Sequence, residues 1–267
     1  MPGIITNDGV TLYFEESGLG QPILLIGGWM MSTLWWRKQI PVLSEKYRVI
    51  AVDMRGVGES EKPVKGHRIA RYARDVFDVI ETLGLEEVTL VGWSMGAAIV
   101  MSYLDIFGSH RLKGVVFVDQ TPKIQVGADW TLGINGMTAD GVVQFASSIQ
   151  ADPQAFVLTF IANMFVREQD VEEVEWMKSS MLRTPPKIAT RILIDLGNLD
   201  MRDLLPTITI PVLVTTGRQS KFFSYESSVY ISEQVPNARL IIFEQSGHCP
   251  FYEEPEKFNA ALVEFVG

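Results

Sequence analysis

The sequence predicts an α/β fold: a mostly parallel sheet with helices on both faces, interrupted by one all-helical insertion. Three observations predict it. Short, continuous apolar runs alternate with helix-length segments of 3.6-residue apolar spacing, the pattern of a parallel sheet packed on both faces. A long stretch from about 121 to 205 breaks the alternation with helical segments alone. A Gly-x-Ser-x-Gly pentapeptide, Gly92 to Gly96, stands between a strand run and a helix run.

Taken in order, Val10 to Glu16 alternates and is rich in β-formers, so it reads as an early strand. Pro22 to Ile26 is a continuous apolar run that stops at Gly27-Gly28, as a buried parallel strand does. The runs Tyr47 to Val52, Val88 to Val91, Leu112 to Val118, Pro211 to Thr216 and Arg239 to Phe243 repeat the pattern. Helical spacing covers roughly 33–45, 69–84, 95–107, 224–235 and 255–266. The insertion is divided at Pro153, Pro185-Pro186 and Gly197, and it carries large apolar residues such as Trp130, Phe145, Phe156, Phe160 and Met177. Such an insertion is expected to cap a site. Most of its apolar residues are expected to pack it onto the body and only some to line a pocket. The expected division is a core of 1–120 and 206–267 with a helical cap of 121–205.

The 267 residues are 47% hydrophobic and 21% charged, an ordinary globular composition with material for a sizeable core. A net charge of −9 repels phosphate backbones and anionic lipid, so no nucleic-acid or membrane partner is expected. The one cysteine, Cys249, forms no intrachain disulfide and reads as a small buried residue. The start, Met1 to Asp8, has neither a basic stretch nor the apolar core of a secretion signal. Ile23 to Ile26 is too short to span a bilayer, and a cytoplasmic protein is expected. Metal-binding histidine pairs, a phosphate loop and a dinucleotide Gly-x-Gly-x-x-Gly are all missing from the sequence, so no cofactor or metal is expected.

The pentapeptide carries the chemistry. Val88 to Val91 leads into Gly92-Trp93-Ser94-Met95-Gly96, and Ala97 to Met101 continues as helix. A nucleophilic serine must stand on a strained turn with its hydroxyl clear of the sheet, and side chains at the two glycine positions would strike neighbouring backbone. The following helix directs free N–H groups at the reaction centre. Ser94 is therefore the candidate nucleophile; the rival reading is a glycine-lined turn with an idle serine.

The chain resembles the α/β-hydrolase superfamily, and within it the cofactor-free haloperoxidase/esterase branch with a helical cap. The resemblance spans nearly the whole chain and is weakest in 121–205. It rests on Gly28-Trp29 after the third strand, on Asp53-Met54-Arg55-Gly56-Val57-Gly58-Glu59-Ser60 after the fourth, on the serine turn and on Ser246-Gly247-His248. It implies an eight-stranded sheet with the cap after strand 6. His248, after the last apolar strand, is the candidate general base, at the sheet edge where such folds place their sites and in the chain order serine first, histidine last. His67, in a polar loop, and His110, at a helix end, are weaker candidates.

The acid departs from the pattern. Relatives carry it in a Gly-x-x-Asp turn after the strand that follows the cap, and here that turn reads Gly217-Arg218-Gln219-Ser220. Serine cannot supply the fixed charge that stabilises an imidazolium. The preceding strand ends directly in Asp119, and in this fold the two strands are neighbours about 4.8 Å apart, so a carboxylate at either tip reaches the same histidine. Asp119 is the candidate acid, with Glu226 and Glu244 weaker and a turn role before Pro122 as its rival reading. The resemblance places the oxyanion donors at the backbone amides of Met95 and Trp29, although Gly27-Gly28 stands where relatives have His-Gly. The Asp53 to Ser60 loop reads as structural, with Asp53 and Arg55 tying it. The expected activity is hydrolysis of small to medium apolar carboxylic esters through an acyl-enzyme. Lactonase, perhydrolase or carbon–carbon hydrolase chemistry, and a non-catalytic ligand-binding scaffold, are the alternatives.

Overall fold

A computed structural model describes residues 3–134 and 136–267. Residues 1 and 2 of the expected core and residue 135 of the expected cap lie outside the described residues. Eight strands form one sheet: β1 (Gly3–Ile5), β2 (Thr11–Ser17), β3 (Pro22–Ile26), β4 (Arg48–Val52), β5 (Val88–Trp93), β6 (Leu112–Val118), β7 (Val212–Gly217) and β8 (Ala238–Phe243). Their spatial order is β1-β2-β4-β3-β5-β6-β7-β8. β2 runs antiparallel to both of its neighbours, and all other pairs are parallel. The apolar runs become the inner strands because both faces are covered: every residue of β5 and β7 is buried.

The helices that flank the sheet are α1 (Ile40–Leu43), α2 (Ile69–Thr82) and α3 (Met95–Phe107). Between β6 and β7 lie α4 (Ala139–Ala151), α5 (Pro153–Met164), α6 (Val171–Leu182) and α7 (Pro186–Gly197); α8 (Tyr225–Gln234), α9 (Pro250–Glu253) and α10 (Pro255–Val266) complete the chain. The prolines act as starts. α5 begins at Pro153 behind Asp152, whose carboxylate accepts from the Gln154 and Ala155 amides, and α7 begins at Pro186.

Three elements differ from the sequence reading. β1 is a three-residue strand with no alternating run of its own, and its pairing with β2 creates it. The helix expected at 33–45 is instead a 3₁₀ turn, Thr33–Trp36, followed by the four-residue α1. Pro41 suits a first turn but cannot sit inside a helix, and Trp35 and Trp36 are pulled under the sheet edge into an aromatic cluster with Trp93 and Phe251. The first part of the insertion, up to Thr138, is irregular rather than helical, with isolated bridges Lys123 to Asp200 and Gly127 to Trp130.

The topology positions the site. Chain order reverses between β3 and β5, so the loops leaving these adjacent strands open a crevice at the C-terminal edge of the sheet. Trp93, Val118 and Thr215 stand side by side on β5, β6 and β7, which brings the next residues, Ser94, Asp119 and Thr216, to one edge. The Ser94 amide donates to the Val118 carbonyl at 2.8 Å and the Asp119 amide to the Thr215 carbonyl at 2.7 Å, fixing both tips. Ser94 is held at φ 54°, ψ −120°. A Cβ on Gly92 would overlap the backbone of Gly96 and Ala97, and one on Gly96 would overlap the Ile26 carbonyl of β3. The glycines thus let strand, turn and helix close on one another.

In the loop after β4 both Asp53 and Arg55 act as ties. Asp53 holds the loop from within, accepting from the Thr33 amide at 2.6 Å and the Glu59 amide at 2.7 Å. Arg55 anchors it to its surroundings, with a guanidinium buried between Asp75 (2.5 and 2.6 Å) and Asp8 (2.9 Å, twice). Arg55→Met should lower stability by about 3 kcal/mol or more, because Asp75 keeps only Arg71 as a partner inside the fold. Gly96→Ala should cost about 2 kcal/mol from overpacking against β3. Urea midpoints at unchanged slope measure both.

Candidate active site

Asp119 occupies the tip of β6 with no solvent exposure. A buried carboxylate needs donors on its lone pairs, and this one has four. Thr216 Oγ donates to Oδ1 at 2.7 Å and the Gly217 amide to the same oxygen at 3.2 Å. Ser220 Oγ donates to Oδ2 at 2.7 Å, and His248 Nδ1 donates to that oxygen at 2.6 Å. The serine standing where relatives carry an acid therefore binds the carboxylate on the neighbouring strand. With Nδ1 engaged, Nε2 is the ring nitrogen left for chemistry.

The histidine is fixed from several sides. Its backbone N–H donates to the Met164 carbonyl at the end of α5 at 2.9 Å, and its carbonyl accepts from Trp93 Nε1 at 2.9 Å. Phe222 and Phe223 pack on the ring with centroids 4.8 and 5.6 Å away. Glu253 accepts from the Gly247 amide at 2.7 Å and from the Val166 amide at 2.8 Å, so it staples the histidine loop to the segment after α5. Burial pushes the Glu253 carboxyl above its ordinary range, opposed by these two amides.

Ser94 and His248 both line a cavity of about 550 Å³ under the inserted helices. Its apolar walls include Trp29, Met137, Phe145, Phe160 and Leu193. Gly28 lies against the serine, where a Cβ would meet Ser94 Cβ at 3.4 Å, which brings the Gly27 to Trp29 loop beside the nucleophile candidate. Met95 is the first residue of α3, so its amide has no helix carbonyl to bond. The Trp29 ring packs against Phe145, Phe156 and Phe160, and its Nε1 donates to the Ala189 carbonyl of α7 at 3.0 Å. At Gly27 the space for a side chain is taken by Met31, whose carbonyl oxygen would lie 2.8 Å from a Cβ.

The remaining candidates fall elsewhere. His67 is buried against the Pro63 carbonyl (2.7 Å) and the Tyr72 hydroxyl (3.3 Å), a structural setting rather than the mobile one its polar loop suggested. His110 meets Glu81 at 2.9 Å near the surface. Glu244 pairs with Arg218 at 3.0 Å, and Glu226 sits in the first turn of α8. Cys249 is fully buried, which pushes its thiol up. The sequence reading missed Thr216, Ser220 and Glu253 as supports. Ser220 stands at the turn position where the usual acid is missing and Thr216 lies on the strand just before that turn, but Glu253 carries no signal in its neighbourhood.

Known proteins agree with this geometry at the level of fold. An esterase from Exiguobacterium antarcticum superposes with a TM-score of 0.94 at 30% identity, covering 99% of this chain and 98% of its own. A bromoperoxidase from Bacillus anthracis gives a TM-score of 0.93 at 28% identity, covering 99% and 98%. A non-heme chloroperoxidase of Kitasatospora aureofaciens is 30% identical over 100% of this chain and 99% of its own. The family model described as alpha/beta hydrolase fold matches residues 21–255. The match covers most of the sequence, and the chain belongs to the α/β-hydrolase fold family.

Proposed function

We propose that the protein is a carboxylic-ester hydrolase that works through an acyl-enzyme on Ser94. The observation that carries the reading is the His248 to Asp119 pair at 2.6 Å, buried beside a serine held at positive φ in one apolar cavity. In this mechanism Ser94 Oγ attacks the acyl carbon while His248 Nε2 takes its proton. His248 then returns the proton to the leaving alkoxide, and the alcohol departs. Water, deprotonated by the same nitrogen, cleaves the acyl–Ser94 bond and releases the acid. Asp119 orients His248 and stabilises the imidazolium formed in each half. The amides of Met95 and Trp29 face the developing oxyanion, each donor contributing about 3 kcal/mol to transition-state stabilisation.

The segment 121–205 serves as a cap on a core of 1–120 and 206–267, and the cavity it roofs suits small to medium apolar acyl or alcohol groups. Two similar proteins are named haloperoxidases, so perhydrolysis with peroxide and a carboxylic acid is the second reading. No helix among the described residues is long and apolar enough to cross a membrane.

Intact-mass labelling with a fluorophosphonate should add one probe to the wild type and none to Ser94→Ala. Lack of an adduct on folded wild type, with an open cavity shown by binding of a neutral ester, would favour a ligand-binding scaffold. On aryl esters, Asp119→Asn should lower kcat by about 10³ to 10⁴. Ser220→Ala removes one charge-assisted hydrogen bond and should lower it about tenfold or less. The reverse ranking would move the acid role away from Asp119. A peroxide-plus-acetate arm of the same assay measures the second reading.

A further inference from the structure

The wall of the catalytic cavity holds one charged side chain that the mechanism does not use. Among its lining residues are the neutral polar groups Gln144, Ser148 and Asn163, no aspartate or glutamate, and a single cation, Lys221. Lys221 follows Ser220, which is bonded to Asp119, and precedes Phe222, which packs on His248, so its backbone is anchored beside the proposed triad. Its ammonium has no carboxylate within ion-pair distance among the described residues.

Lys221 also lines a second cavity of about 490 Å³, built from α5, α6 and the loop after α5. Lys221 is thus an exposed residue that borders both spaces. That second cavity carries Arg167 as well as Glu168 and Glu175, and Glu175 is engaged by Lys178 at 2.7 Å. The described residues that line the catalytic cavity include no aspartate or glutamate. A lone ammonium at the edge of an apolar chamber attracts an anion that cannot be solvated deeper in, and it accepts one without displacing an existing partner.

We propose that Lys221 forms an anion subsite of the catalytic cavity, and that the preferred substrates are esters carrying a second, ionised carboxylate, such as half-esters of dicarboxylic acids. The apolar walls take the methylene spacer, Ser94 meets the ester end, and Lys221 meets the free carboxylate. This rests on the esterase reading above and names its substrate class.

The test compares the methyl half-esters of succinate, adipate and suberate with their carboxamide-terminated counterparts, which match them in shape and lack the charge. The ratio of kcat/KM, anionic over neutral, should be highest for one spacer length in the wild type. It should fall about fivefold in Lys221→Ala, chiefly through KM, survive in Lys221→Arg and drop further in Lys221→Glu. Salt at about 1 M should compress it. The same ratio in wild type and Lys221→Ala would overturn the subsite. Calorimetry of the half-esters on Ser94→Ala reads binding without turnover. Binding that Lys221→Ala removes, in a protein that hydrolyses neither ester, would sink the esterase reading and keep the subsite.

Discussion

At the tip of β6 a carboxylate has been taken wholly out of water, and much of the surrounding geometry follows from supplying its oxygens with donors there. An unpaired buried carboxylate would cost several kcal/mol. The four donors that offset this cost for Asp119 come from β7, from the turn after it and from the loop after β8, segments about 100 or more residues away in the chain. Satisfying one side chain thus draws a strand end and two loops to one sheet edge. Because His248 is one of those donors, the same requirement sets the direction of the imidazole. The sheet does the rest, since β5 and β6 are adjacent and place Ser94 one strand away from Asp119.

The inserted helices are bonded into this arrangement and not merely laid upon it. The end of α5 accepts the His248 amide, Glu253 joins Gly247 to Val166, and the Trp29 indole reaches Ala189 on α7. Ser32 and Ser180 add a buried hydroxyl pair at 2.9 Å between the body and α6. Each contact ends on a loop that carries a proposed catalytic group or stands next to one. Movement of the insertion would therefore be felt at the histidine loop and at the Gly27 to Trp29 loop together, which couples access to the cavity with the alignment of the proposed reacting groups.

Chemistry on this scaffold is set by a few positions. Serine at 220 leaves the family's usual acid position uncharged, yet its hydroxyl still contributes, because the two strand tips lie close enough for either to serve one histidine. Glycine at 27 is likewise not an empty place, as the Met31 carbonyl fills it. Both departures from the family pattern are accommodated by a neighbour. The cavity walls and the cation at 221 are then free to choose the substrate.

The order of the elements and the place of Ser94, Asp119 and His248 were legible in the sequence. They depend on local properties: apolar runs that only a buried strand satisfies, glycines that only a tight turn requires, prolines that start α5 and α7. The bounds of α3, of α10 and of the starts at Pro153 and Pro186 follow the reading closely. What could not be read is what depends on long-range company. β1 exists because β2 offers it a partner, the stretch around Trp35 and Trp36 gives up helix for an aromatic cluster, and Arg55 finds its partners in Asp75 and Asp8. The donors on Asp119, the clamp at Glu253 and the exposure of Lys221 to the cavity are of the same kind. A side chain's type is written in the chain, but its partner is chosen by packing, where burial makes an unpaired polar group too costly to keep.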